Sequence, residues 1–217
     1  MTTVQQNIAA VRSTLPKGVT LLCVSKFQSL DAIREAYEAG ERDFGESRVQ
    51  ELTAKHETLP GDIRWHFIGH LQTNKVKQIV PFVHLIHSVD SEHLLACINR
   101  EAEKANKQVN VLLELHVARE ESKTGMTPEE LDNLIGRLQS YPFVNVRGVM
   151  GMATNTDDED EWRRCFRAIE AAGRKLNGIA SEPVIVSMGM SEDYKVAVEE
   201  GSTMVRVGSK IFGERNY

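Results

Sequence analysis

The chain reads as a single (β/α)8 TIM barrel with one extra N-terminal helix. Three observations predict this. Strand-like and helix-like segments alternate about eight times over 217 residues, and the connections between them are short. The turn after the first strand, Lys26-Phe27-Gln28-Ser29, lacks the glycine with which a doubly wound open sheet usually advertises itself. No linker or shift in composition divides the chain, so residues 1–217 are expected to form one domain.

The elements follow in order. Val4, Ile8, Val11 and Leu15 recur at helical spacing, and Pro16 ends that helix. Val19 to Lys26 is an almost wholly apolar strand. Ser29 caps the next helix, with Ile33, Ala36 and Tyr37 inward and Gly40 as its stop. Arg42-Asp43-Phe44 reads as a short strand, Ser47 to about Leu59 as a helix, and Arg64–Ile68 and Val83–His87 as strands. Asp90 or Ser91 then caps a long helix through Leu94, Leu95, Ile98, Ala102 and Ala105.

The second half is plainer. Val109 to Leu115 is a strand rich in β-branched residues. Thr127-Pro128-Glu129-Glu130 forms a capping box with proline at the first helical position, opening a helix through Leu131, Leu134, Ile135 and Leu138. Phe143 to Met150 is a strand. Thr156 to Leu176 is a helix whose Trp162, Phe166, Ile169, Gly173 and Leu176 form a stripe expected to pack on the barrel. Val184–Val186, a helix from Glu192 to Glu200 and a last strand from Thr203 to Val207 complete the series.

Composition excludes several functions. Hydrophobic residues make up 41% and charged residues 26%, which suits a folded globular chain and not a disordered one. Charges of both signs are interspersed around a net −5, with no basic stripe for nucleic acid. Cys23, Cys97 and Cys165 are dispersed and odd in number, the usage of a reduced compartment. No apolar run approaches the length of a membrane span, so a cytoplasmic protein is expected, with no membrane partner.

Two basic residues sit where apolar ones belong. Lys26 closes the first strand, and Arg206 interrupts the last, Met204-Val205-Arg206-Val207. A buried cation is costly unless it is paired or chemically used. Strand alternation puts Thr20, Leu22, Val24 and Lys26 on one face, and Met204, Arg206 and Gly208 on one face. The first and last strands of a closed barrel are neighbours, so Lys26 and Arg206 are expected at one mouth. Structural pairing of Lys26 with Asp43 or Glu46 is the plain alternative. A lysine near another cation has a lowered pKa and supplies more of the neutral amine that forms a Schiff base.

Phosphate in such barrels is often held after the seventh and eighth strands. Those loops are Ser187-Met188-Gly189-Met190-Ser191 and Gly208-Ser209, the second running into a short helical start. Lysine, arginine and phosphate loops together suit a phosphorylated carbonyl compound, and among cofactors pyridoxal 5'-phosphate (PLP). An arginine facing the pyridine nitrogen would leave it unprotonated and make the ring a poor electron sink. Among the histidines, His66 and His70 do not make a helical zinc pair, His84 and His87 fall on opposite faces, and His87 is expected at the mouth.

The chain resembles the pyridoxal phosphate homeostasis proteins, the YggS/PROSC family, over essentially its full length. The resemblance rests on Val24-Ser25-Lys26, Phe44-Gly45-Glu46 with Val49-Gln50-Glu51, and the block Trp65-His66-Phe67-Ile68-Gly69-His70-Leu71-Gln72-Thr73-Asn74-Lys75. Lys123-Thr124-Gly125, Ser187-Met188-Gly189-Met190-Ser191 with Asp193, and Gly201 to Ser209 with Ile211-Phe212-Gly213 complete it. It implies a barrel like the N-terminal domain of alanine racemase and an internal aldimine on Lys26. It further implies phosphate contacts from Ser187, Gly189, Gly208 and Ser209, and Arg206 at the pyridine nitrogen. The implied role is holding and distributing the cofactor, with PLP-dependent apo-enzymes as recipients, rather than turnover. A monomer is expected. Ser47-Arg48 departs from the Asn-Tyr found in many members.

Two other readings compete. A PLP-dependent amino-acid racemase needs a second proton carrier opposite Lys26, and Tyr37, Tyr141, Tyr194 and Tyr217 are poorly placed for that. An aldolase-type enzyme would use the Lys26 Schiff base on a phosphorylated sugar or keto acid without a cofactor.

Overall fold

The computed structural model describes residues 1–120, 124–179 and 183–213. Eight parallel strands close into a barrel in chain order: β1 Thr20–Val24, β2 Asp43–Glu46, β3 Arg64–Phe67, β4 Leu85–Val89, β5 Val109–Leu115, β6 Val144–Gly151, β7 Ile185–Ser187 and β8 Met204–Val207. The helices are α1 Thr3–Arg12, α2 Leu30–Glu38, α3 Val49–Thr58, α4 Val76–Ile79, α5 Glu92–Lys104, α6 Pro128–Ile135, α7 Glu159–Arg174, α8 Tyr194–Glu199 and α9 Ser209–Phe212. The expected barrel with an extra leading helix is therefore present.

Local chemistry sets the helix ends. Ser29 and Ser91 accept from the backbone N–H three residues on, and the Thr127–Glu130 capping box forms with Pro128 at the first turn. Thr2 and Gln5 make a second capping box. The α7 helix begins at Glu159 rather than Thr156, because the Asp158 carboxylate accepts from Asp160 and Glu161 and fixes the start there. A turn absent from the sequence reading, α4, follows a short 3-10 segment at Thr73–Lys75; it buries Val76 and Ile79.

Two packed layers follow from strand alternation. Leu21, Cys23, Phe44, Trp65, Phe67, Val205 and Val207 point outward into one large core beneath the helices. Leu22, Leu85, Leu112, Met150 and Met204 form a separate apolar layer inside the barrel. Register puts Leu22 beside Arg206 across the β1–β8 seam, so the two share a face.

One position is constrained by the seam of the sheet itself. The β5–β6 register slips between Val111 and Leu112, with Arg147 as the extra residue on β6. Gly148 follows at φ 156°, and a Cβ there would lie 1.9 Å from the Ile185 carbonyl oxygen of β7. Gly148→Ala is expected to cost about 2–4 kcal/mol through backbone strain and crowding, read as a lowered urea midpoint. Gly136→Ala, whose new Cβ would meet nothing closer than 3.8 Å, is the control and should shift stability by less than about 0.5 kcal/mol.

Candidate functional site

The C-terminal ends of the strands enclose a cavity of about 560 Å³. Its wall includes Lys26, Ser47, Trp162, Ser191, Arg206, Gly208 and Ser209, drawn from both ends of the chain. Closure of β8 onto β1 is what brings the first lysine and the last arginine together.

Lys26 is not the last residue of its strand. β1 ends at Val24, and the Ser25 N–H still bonds the Gly45 carbonyl at 3.0 Å. Phe27 then adopts φ 65°, an unusual backbone for a side chain of that size, and throws the chain into the turn before α2. Lys26 is consequently half-buried on the cavity wall rather than sealed in the sheet.

A buried ionic cluster behind the wall holds that turn. Lys55 Nζ donates to the Ser25 carbonyl at 2.8 Å, to Glu46 Oε1 at 2.8 Å and to Glu51 Oε1 at 2.7 Å. Glu51 Oε1 also accepts from the Phe27 N–H at 2.6 Å, and Glu46 Oε1 accepts from the Ser25 hydroxyl at 2.5 Å. Residues on both sides of Lys26 are thus fixed by one ammonium and two carboxylates. Burial pushes the Glu46 carboxyl up to about 7, against the pull of Lys55, and its Oε2 has no hydrogen-bond partner among the described residues. The two carboxylates weighed as partners for Lys26 are engaged with other residues: Glu46 with Lys55, and Asp43 with Arg64 and His66.

Arg206 is 5% exposed and borders the cavity from the barrel interior. Its Nη1 donates to the Ser187 carbonyl and hydroxyl, both at 2.8 Å, and Nη2 to the Gly151 carbonyl at 3.0 Å. All three acceptors are neutral. Burial pushes the guanidinium down to about 10, with Asp193 and Glu114 resisting, so it remains charged at neutral pH. Among the described residues, no acceptor takes Nε–H or the second Nη2 proton.

The two loops behave differently from one another. Gly208 and Ser209 line the cavity, and Ser191 accepts from the Gly208 N–H at 3.4 Å while lining it too. Ser187 and Gly189 lie behind the wall. The Ser187 hydroxyl is spent on Arg206 and His87. Gly189 has φ 89°, and a Cβ there would approach the Ala197 Cβ to 2.5 Å. Its carbonyl takes the Arg206 N–H, so its part is to let this loop fold against β8. Ser191 is the residue the sequence reading undervalued, although it closes the same five-residue loop.

Other expectations need correction. His87 is fully buried inside the barrel, not at its mouth, bonding His66 at 2.9 Å and Ser187 at 3.1 Å. His84 precedes β4 rather than lying on it, so both His84 and His87 have ring centroids within 5.4 Å of His66. Trp162 packs on the core yet also borders the cavity. Ser47 lines the cavity, whereas Arg48 turns away and lies 4.7 Å over the Phe27 ring. Lys123 and Tyr217 fall outside the described residues.

Comparison with known proteins agrees with this fold. The family described as "Alanine racemase, N-terminal domain" matches residues 1–216. A pyridoxal phosphate homeostasis protein of Aquifex aeolicus is 42% identical over 199 residues, covering 91% of this chain and 87% of that one. Its Escherichia coli counterpart is 34% identical, covering 100% and 99%. PipY of Synechococcus elongatus PCC7942, solved with PLP bound, is 36% identical with a TM-score of 0.88 over 97% of this chain and all of that one. Alanine racemase of Clostridium difficile 630 superposes at a TM-score of 0.82 with 13% identity, over 99% of this chain and 60% of its own length, a likeness of fold alone. The chain belongs to the alanine racemase N-terminal-domain family, among its pyridoxal phosphate homeostasis proteins.

Proposed function

We propose that this protein binds pyridoxal 5'-phosphate, holds it covalently through Lys26, and keeps and hands on the cofactor rather than turning over a substrate. One observation carries the reading: Lys26 and the buried Arg206 border a single cavity whose remaining wall includes Gly208, Ser209 and Ser191. A reactive aldehyde, an aromatic ring nitrogen and a dianionic tail are the three features those groups match.

Each residue has a part. Lys26 supplies the amine, and the Glu46–Lys55–Glu51 cluster fixes the turn that presents it. Gly208, Ser209 and Ser191 receive the phosphate; Ser187 and Gly189 support from behind. Arg206 meets the ring nitrogen as a donor that keeps its charge, which suppresses the ring's use as an electron sink. When bound, the cofactor supplies an electrophilic carbonyl carbon and electron-withdrawing ring.

Storage is favoured over racemisation by the tyrosines. A racemase needs a second proton carrier facing the amine across the cofactor. Tyr37 bonds Asp62 at 2.7 Å, Tyr141 bonds Glu92 at 2.7 Å, and Tyr194 meets Thr14 at 2.8 Å. None of these three lines the cavity. Cofactor-free PLP enzymes are the recipients this reading supplies.

Four measurements follow. Protein incubated with PLP should gain a visible absorbance band, and borohydride should fix a pyridoxyl group that peptide mapping places on Lys26. Lys26→Ala should lose the adduct but retain dissociable PLP; an adduct elsewhere would overturn the assignment. With L-alanine, chiral analysis should show turnover at least several decades below about 10 s⁻¹, the median for enzymes. Lys55→Met should slow covalent attachment roughly ten- to a hundred-fold by releasing the turn, measured by stopped-flow absorbance.

A further inference from the structure

A chain of hydrogen bonds crosses the inside of the barrel from its opposite end to Arg206. It starts at the first residues of β2 and β3, where Arg64 Nη2 and Asp43 Oδ2 pair at 2.6 Å and the Arg64 side chain is 47% exposed. Asp43 Oδ1 meets His66 Nε2 at 3.0 Å, and His66 Nδ1 meets His87 Nε2 at 2.9 Å. His87 Nδ1 meets the Ser187 hydroxyl at 3.1 Å, which in turn accepts from Arg206 at 2.8 Å. Asp43, His66, His87, Ser187 and Arg206 are all buried.

Donor and acceptor rules fix the direction. Burial favours the neutral acid at Asp43, but the Arg64 and His66 hydrogen bonds outweigh it and hold the carboxyl well below the usual range. An ionised carboxylate only accepts, so His66 Nε2 carries a proton. The His66 Nδ1 then accepts from His87 Nε2–H, and His87 Nδ1 accepts from the Ser187 hydroxyl. That leaves the Ser187 lone pairs turned to Arg206. The opposite orientation makes Ser187 Oγ accept from both His87 and Arg206 and strands its own proton in the interior. One orientation satisfies every member.

We infer that Asp43, His66 and His87 are positioning residues for Arg206: they carry the influence of the Asp43–Arg64 pair through the barrel and so set the strength of the Ser187 acceptor and the placement of the guanidinium that faces the bound ligand. Hydrogen bonds in series polarise one another, so a carboxylate at the far end strengthens the Ser187 acceptor beside Arg206. Asp43 and His84 lie beside the His66 ring, Arg206 and His84 act on the His87 ring, and the two rings face each other, with Arg64 reaching them through Asp43. The inference rests on Arg206 facing PLP, and the test separates the two.

In cofactor-free protein, 15N-correlated histidine NMR should find both His66 and His87 as neutral Nε2–H tautomers. Asp43→Asn removes the charge while keeping an acceptor. It should introduce Nδ1–H tautomer at His66 or His87, shift the absorbance of bound PLP, and weaken PLP binding about two- to thirty-fold, although residue 43 does not line the cavity. Arg64→Leu, at an exposed position, should shift the same readouts in the same direction by less, and serves if Asp43→Asn fails to fold. Nδ1–H tautomers in the unsubstituted protein, or folded variants with unchanged tautomers and PLP spectrum, would overturn the relay. Failure of the unsubstituted protein to bind PLP would instead overturn the proposed function, and the tautomers alone would then judge the relay.

Discussion

A guanidinium held inside an eight-stranded barrel by neutral acceptors is the constraint around which the rest of this molecule is arranged. Removing a cation from water costs several kcal/mol unless it is compensated. Arg206 receives three oxygen acceptors from β6 and β7 and, among the described residues, no direct carboxylate. Placing those acceptors requires β7 and β8 to meet where Ser187 pairs with Met204, and Gly189 to take a backbone that brings its carbonyl to the Arg206 N–H. The barrel's closure at β1–β8 then puts this charge beside the cavity that Lys26 borders.

The lysine side is built from a different principle. Arg206 sits on a strand, and its position follows from register. Lys26 sits in a turn, where register gives no help, and a left-handed Phe27 makes the turn costly. The Lys55 ammonium and the Glu46 and Glu51 carboxylates compensate by binding backbone atoms of Ser25 and Phe27 directly. Glu46 is the sensitive member. Its carboxyl is raised from the ordinary value to about 7, so the folded protein holds that proton more tightly than the unfolded chain. Its contribution to stability is therefore full in acid and is lost as pH rises through neutrality. Deprotonation exchanges stability for a stronger grip on Lys55.

How much of this was legible in the sequence depends on which interactions are local. Alternation along Met204–Gly208, joined to the rule that first and last strands adjoin, put Arg206 at the mouth near the end of β1; Lys26 borders the same cavity from the turn two residues beyond that strand, a placement alternation does not explain. Capping residues located Ser29 and Thr127 and narrowed a third cap to Asp90 or Ser91, of which Ser91 is the one that caps. The relay was not legible, because both faces of a barrel strand are buried, and nothing in Arg64-Trp65-His66-Phe67 says which parity points inward. Inward placement of His66 follows only once Gly45 and Leu22 are seen packed together on the same side. The Lys55 cluster was half visible: Glu51 and Lys55 stand four apart on one helix face, yet their meeting with Glu46 and Ser25 is tertiary. The α4 turn escaped for want of a side-chain cap.

Neutral ligation of Arg206 has an energetic corollary. A carboxylate in direct contact would have neutralised the guanidinium and tied its remaining donors. Carbonyls, a hydroxyl and a remote carboxylate acting through two imidazoles hold the group in place while leaving its positive potential directed at the cavity. Inside a low-dielectric barrel that potential is strong. An incoming anion therefore meets a guanidinium that no carboxylate contacts among the described residues, and the folded state gains from its arrival by mass action. Ligand binding and barrel stability are in this way coupled through one side chain, and what stabilises the ligand also relieves the barrel of its buried charge.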